Sequence, residues 1–116
     1  MKISIETSIP TMNNYWRTTI VKNRIHTYIT PKGRQFKKAL GWVAKVVCDN
    51  PFENDCELKI KLFFKNKNRD IDNAIKPILD ALQGVVYVND VQVKKITVEK
   101  FKSKNDNLEI EVIKYV

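Results

Sequence analysis

The sequence predicts a small α+β (mixed α/β) domain, a mixed sheet carrying two main helices. Three observations lead there. Cys56, Leu58, Ile60, Leu62 and Phe64 alternate with Glu57, Lys59, Lys61 and Phe63, the period of a half-buried strand. Two other segments repeat apolar residues at helical spacing: Phe36, Leu40, Val43 and Val47, then Ile71, Ile75, Ile78, Leu79 and Leu82. The length of 116 residues, with 43% hydrophobic and 29% charged content, suits one ordered domain over residues 1–116.

The elements follow in order. Lys2 to Ile9 places Ile3, Ile5 and Ile9 in a first strand that stops at Pro10. Thr11 to Thr30 has no clean period and reads as a long basic loop with a short strand near Ile25 to Ile29. Thr30-Pro31 is a helix-start signal, a capping hydroxyl before a residue tolerated at the first helical position, and Asn50-Pro51 ends that helix. After the strand at Cys56, a polar segment leads into the second helix, and Gly84 is its natural stop. Pro77 removes one backbone bond unless that helix begins only a few residues earlier. Two more strands, about Val93 to Phe101 and Leu108 to Tyr115, flank the turn-rich Ser103 to Asn107.

Lys and Arg total 21 against 13 Asp and Glu, for a net charge of +8. That balance favours an anionic partner, nucleic acid above all. No apolar run is long enough to span a bilayer and no signal-peptide pattern opens the chain, so a cytoplasmic protein with no membrane partner is expected. Cys48 and Cys56 read as reduced thiols, too few for a zinc site, and His26 is the only histidine. Carboxylate chemistry is therefore the main candidate.

Asp70, Asp72 and Asp90 supply it. The first two stand two apart where a strand hands over to a helix, and the return of the chain is expected to bring Asp90 near them. Carboxylates crowded to ~4 Å repel by roughly 4 kcal/mol at an effective dielectric near 20, so such a group needs cations. Mg²⁺ prefers oxygen ligands, usually one or two carboxylates with waters and phosphate. Lys76, four residues after Asp72, either neutralises phosphate charge or pairs with Asp72 or Asp80. Asp72 read as a helix cap and Asn89-Asp90 read as a plain turn are the structural alternatives. In the basic loop, Asn13, Asn14, Tyr15, Arg17, Lys22 and Arg24 mix cations with polar and aromatic groups. With Lys32, and with Lys67 and Arg69 before the acids, they are candidates for gripping phosphates and stacking on unpaired bases. The alternative is a solvated loop whose aromatic residues turn into the core.

At these residues the sequence closely resembles the RusA family of Holliday junction resolvases, often carried by phages and prophages. The resemblance rests on Arg69-Asp70-Ile71-Asp72-Asn73, Lys76-Pro77-Ile78-Leu79-Asp80-Ala81-Leu82 and Asn89-Asp90-Val91-Gln92-Val93. Pro10, Asn13-Asn14-Tyr15-Trp16-Arg17 and Tyr28-Ile29-Thr30-Pro31-Lys32-Gly33 extend it toward the N-terminus. It implies that Asp70, Asp72 and Asp90 bind catalytic Mg²⁺, with Mn²⁺ a substitute, and that Lys76 assists. Family members often carry two acids where this chain has Asn89 then Asp90. The resemblance also implies a homodimer that makes paired symmetric nicks in branched DNA during recombination and repair. A non-catalytic nucleic-acid-binding protein and a broader structure-selective nuclease are the other readings of the same scaffold.

Overall fold

A computed structural model describes residues 1–66 and 68–116, and of Met12 and Asn13 it describes the backbone alone. The chain runs β1 (Lys2–Glu6), α1 (Met12–Tyr15), β2 (Trp16–Val21), β3 (Arg24–Ile29), α2 (Pro31–Val47), β4 (Cys56–Phe64) and α3 (Asp72–Leu82). A single 3₁₀ turn (Asp90–Gln92), β5 (Val93–Lys102) and β6 (Asn107–Lys114) complete it. β1, β6, β4 and β5 form a mixed sheet in that spatial order, while β2 and β3 pair separately as a hairpin. The mixed α/β architecture with two main helices is the one the periodicities predict.

β4 is central because its alternation matches the pleat. Cys56, Leu58, Ile60, Leu62 and Phe64 are all buried, and Leu108, Ile110 and Val112 of β6 meet the same side. The other face stays wet, with Lys59 opposite Glu111 and Lys61 opposite Glu109. β4 pairs antiparallel with β6 but parallel with β5, so the chain must cross over between β4 and β5. α3 makes that crossover.

β1 stops at Glu6, short of the expected Ile9, because its partner β6 begins at Asn107, directly opposite Glu6. Ile9 and Pro10 are nonetheless buried. The largest departure concerns residues 11–30. In place of a loop with one short strand, they form α1 and a complete hairpin, turned by Lys22 and Asn23 at φ 51° and 64°. Two consecutive positive φ values make the tight turn whose twist matches paired strands.

α2 begins where the sequence places it, and Thr30 Oγ1 accepts from Gly33 N at 3.0 Å. Phe36, Leu40 and Ala44 line its buried side with Gly33, whereas Val47, counted in the expected stripe, is largely exposed. α3 buries Ala74, Pro77, Ile78, Ala81 and Leu82. Pro77 is five residues past the first helical position, so the carbonyl of Asn73 forfeits its partner one turn on. Gly84, at φ 86°, stops the helix as expected. Among the described residues no helix is long and apolar enough to cross a membrane.

Two glycines of α2 give opposite expectations. A Cβ on Gly33 would meet Tyr15 O and Ile29 Cγ2, each at 2.8 Å, where the backbone oxygen cannot swing aside. On Gly41 the nearest atom is 3.8 Å away. Gly33→Ala should therefore cost about 1–3 kcal/mol in urea denaturation. Gly41→Ala should stabilise by up to ~1 kcal/mol through helix propensity.

Candidate active site

β4 delivers the chain to the acids at its C-terminal end. Arg69, just before them, turns inward. Its Nη2 donates to Ile9 O and its guanidinium lies over the Phe64 ring, 4.8 Å from the centroid. Its Nε is buried without a hydrogen-bond partner. Lys100 Nζ of β5 donates to Arg69 O at 2.8 Å. Asp70 follows, exposed, then Ile71, then Asp72 as the first residue of α3. Ile71 is the cap position, in helical conformation and with no side-chain cap, so Asp72 does not serve as one. Among the described residues neither Asp70 nor Asp72 forms an ion pair.

The exit from α3 is held by amides. Asn89 caps the 3₁₀ turn, its Oδ1 accepting from Val91 N at 3.1 Å, while Gln92 Oε1 accepts from Asn89 N at 2.9 Å. Gln92 Nε2 donates to Phe52 O at 2.7 Å and to Asn54 O at 2.9 Å, tying the turn to the chain before β4. Gln83 Oε1 accepts from Asp90 N at 3.0 Å. Asp90 thus stands beside the C-terminal end of α3 on a backbone fixed from three directions. Beneath it Tyr87 is fully buried and donates to Leu79 O. Burial foremost, and then the charge of Asp90, pushes the Tyr87 phenol above its ordinary range.

Lys76 ties α3 to its exit. Its Nζ is 3.6 Å from Asp90 Oδ2, with the lysine half exposed and the aspartate about one-third exposed. Asp72 and Asp80, its neighbours one turn away, are not its partners. Asp80 instead takes the Tyr15 hydroxyl and Lys37 Nζ, the latter at 3.6 Å.

Among the described residues no three His, Cys, Asp or Glu side chains are placed to hold one ion. α3 is 11 residues long and starts at Asp72; the Asp90 backbone meets Gln83 at its far end, while the Asp90 carboxylate reaches back to Lys76 in its first half. The donor chemistry nevertheless suits a hard cation: Asp70 and Asp72 offer exposed carboxylates two residues apart, and Mg²⁺ is commonly held by one or two carboxylates plus waters and substrate phosphate.

The family model described as Endodeoxyribonuclease RusA matches residues 7–113, nearly the whole chain, with both acid segments inside the match. The chain belongs to the RusA family. Nuclease function in the general sense comes with that membership. No curated protein matches the sequence.

Within this RusA-family chain the candidate DNA contacts divide by exposure. Arg17, Lys22, Arg24 and Lys32 are exposed, and so is Asn14. Arg17 sits opposite Tyr28 on the hairpin, and both line a cleft with Asn14, Thr30, Pro31 and Lys32. Tyr15 is corrected: it is fully buried, edge-on to Trp16 at 5.1 Å, and its hydroxyl donates to Asp80. Burial first and the Asp80 bond second raise its pKa above the ordinary phenol range. Arg69 is likewise held on the core rather than extended to solvent. Lys67 and the Asn13 side chain lie outside the described residues.

Two things were missed from sequence. Gln83 and Gln92 fix Asp90, yet glutamines carry no signal of their own in a polar loop. The charge is also segregated: from Thr7 to Cys48 there are eight Lys and Arg and not one acid, equal to the whole net charge of +8. That signal was readable by position.

The anchoring of Asp90 has a measurable consequence. Gln92→Ala removes partners from two backbone carbonyls and one amide and should lower stability by ~1–3 kcal/mol. Amide exchange should accelerate at Asn89 and Val91 well before it changes in β4.

Proposed function

We propose that this chain is a Mg²⁺-dependent, structure-selective endodeoxyribonuclease that resolves four-way DNA junctions by paired symmetric nicks. The observation that carries the reading is the reach of Lys76 to Asp90 at 3.6 Å, past the helix neighbours that a surface lysine would take. It ties the crossover helix to the second acid segment of a RusA-family chain. The cap alternative for Asp72 loses its support, since Ile71 holds the cap position.

In this reading Asp70 and Asp72 hold the cation with carboxylate oxygens and Asp90 contributes a third. Mg²⁺, when bound, polarises the scissile phosphate and lowers the pKa of the attacking water. Lys76 meets charge that builds on the phosphate in the transition state. Asp90, its backbone fixed by Gln83 and by the Asn89–Gln92 cap, keeps that ammonium at the rim before substrate arrives. Arg17, Lys22, Arg24 and Lys32 take flanking phosphates, with Asn14 beside them. Paired nicks on a near-two-fold junction call for two sites related by that symmetry, so the working form in this reading is a C₂ homodimer acting in the cytoplasm.

Cleavage of a synthetic four-way junction beside linear duplex, fork and single strand, with and without Mg²⁺, tests the reading. Faster cutting of the junction is expected; equal rates on all four would leave a general nuclease and end the resolvase reading. Asp70→Asn, Asp72→Asn and Asp90→Asn should each nearly abolish cutting, while junction binding without Mg²⁺ holds or tightens as negative charge leaves a surface facing phosphates. Lys76→Ala should lower the rate ~10²–10³-fold at near wild-type affinity. Full activity in Asp70→Asn or Asp72→Asn would end the mechanism.

Salt gives a separate check. If the acid-free stretch neutralises ~6–10 phosphates, junction affinity should fall roughly 10³–10⁵-fold between 50 and 200 mM salt.

A further inference from the structure

The β2–β3 hairpin has two unlike faces. Directly opposed residues of an antiparallel pair share a face. Trp16 with Ile29, Thr18 with Thr27 and Ile20 with Ile25 therefore form one side. Arg17 with Tyr28, Thr19 with His26 and Val21 with Arg24 form the other, and Lys22 stands in the turn. The root is anchored, since Trp16 and Ile29 pack on the core. Beyond it every residue from Arg17 to Tyr28 is exposed. On the last rung of the first side Ile20 and Ile25 are 71% and 74% exposed. A two-stranded ribbon standing alone is marginal in water, and two bare isoleucines at its tip gain nothing from solvent.

Charge decides what covers them. The hairpin carries Arg17, Lys22 and Arg24 and no acid, and it lies within the acid-free stretch that holds the whole +8. A second copy meeting tip to tip would bring the tip cations Lys22 and Arg24 of both hairpins together. A polyanion is attracted to the same surface. In DNA, an apolar side chain finds an apolar surface of matching size between base planes, and isoleucine is among the side chains that wedge there. Intact duplex presents its base pairs stacked, whereas a branch point leaves base-pair faces open.

We propose that Ile20 and Ile25 are an apolar wedge that enters the centre of branched DNA and packs on open base-pair faces, while Arg17, Lys22 and Arg24 hold the flanking phosphates. The proposal rests on branched DNA being the substrate, as argued above. It adds a source of selectivity: the basic face accepts any duplex, but the tip is rewarded only where stacking is interrupted.

The test uses the full chain without Mg²⁺ and a four-way junction carrying 2-aminopurine at the crossover, beside a linear duplex of the same sequence. Wild type should raise the fluorescence of the junction and leave that of the duplex unchanged. The double variant Ile20→Thr, Ile25→Thr keeps β-branched residues in the strands. It should lose that rise and about tenfold of junction affinity, with duplex affinity and salt slope retained. Should threonine unfold the hairpin, seen by circular dichroism, Ile20→Phe with Ile25→Phe replaces it and should keep the rise. An equal rise in wild type and the threonine variant overturns the wedge, as does absence of the rise in the phenylalanine variant. Equal losses on junction and duplex also overturn it. A fall from dimer to monomer in the threonine variant assigns the tip to a second copy instead. If wild type does not prefer junction to duplex at all, the substrate reading has failed, and the wedge fails with it.

Discussion

The parallel pairing of β4 with β5 is the constraint on which the rest depends. Parallel neighbours cannot be joined by a tight turn, so the chain must leave the end of β4, travel back over the sheet and re-enter at the start of β5. α3 is that return path. Its two ends are the places where backbone changes direction, and they are where the acids stand. A crossover helix must run back along the strands it connects, and so it holds its two ends apart. Lys76, in the first half of that helix, pairs with Asp90 beyond its end, so the crossover and its exit are tied by one ion pair.

How much of this could be read from the sequence depends on whether burial writes a period. β4 could be read completely, because each of its alternate residues faces one core. The start of α2 and the stop of α3 were equally plain, since a capping threonine and a left-handed glycine are local chemistry. The hairpin wrote no such record. Both of its faces meet water, so no alternation of apolar and polar residues was required, and its turn uses Lys22-Asn23 without the glycine that usually marks such turns. The acids could be picked out as candidates, but the way Asp90 is held could not. That depends on the path of residues 83–92, which is set by Gln83 and Gln92 hydrogen bonds to backbone groups distant in sequence. Tyr15 misled for a related reason. Among exposed neighbours it reads as a stacking residue, yet its hydroxyl finds Asp80 sixty-five positions away.

Charge is arranged by the same economy. The acid-free stretch covers α1, the hairpin and α2, while the sheet strands pair lysine with glutamate across their wet face. Repulsion among the eight cations is tolerable because they are spread over a protruding ribbon and a 17-residue helix. One of them, Lys37, is partly answered by Asp80 of α3, so the basic layer is also attached to the crossover helix electrostatically.

Arg69 carries a different lesson. Its guanidinium is lodged between a backbone carbonyl near the N-terminus and the face of Phe64, while its own carbonyl is held from β5. The residue immediately before Asp70 is therefore anchored against the hydrophobic interior. Acid spacing at this edge is inherited from the packing of the core. Heat or denaturant that loosens that interior would blur the position of the carboxylate in the same cooperative event.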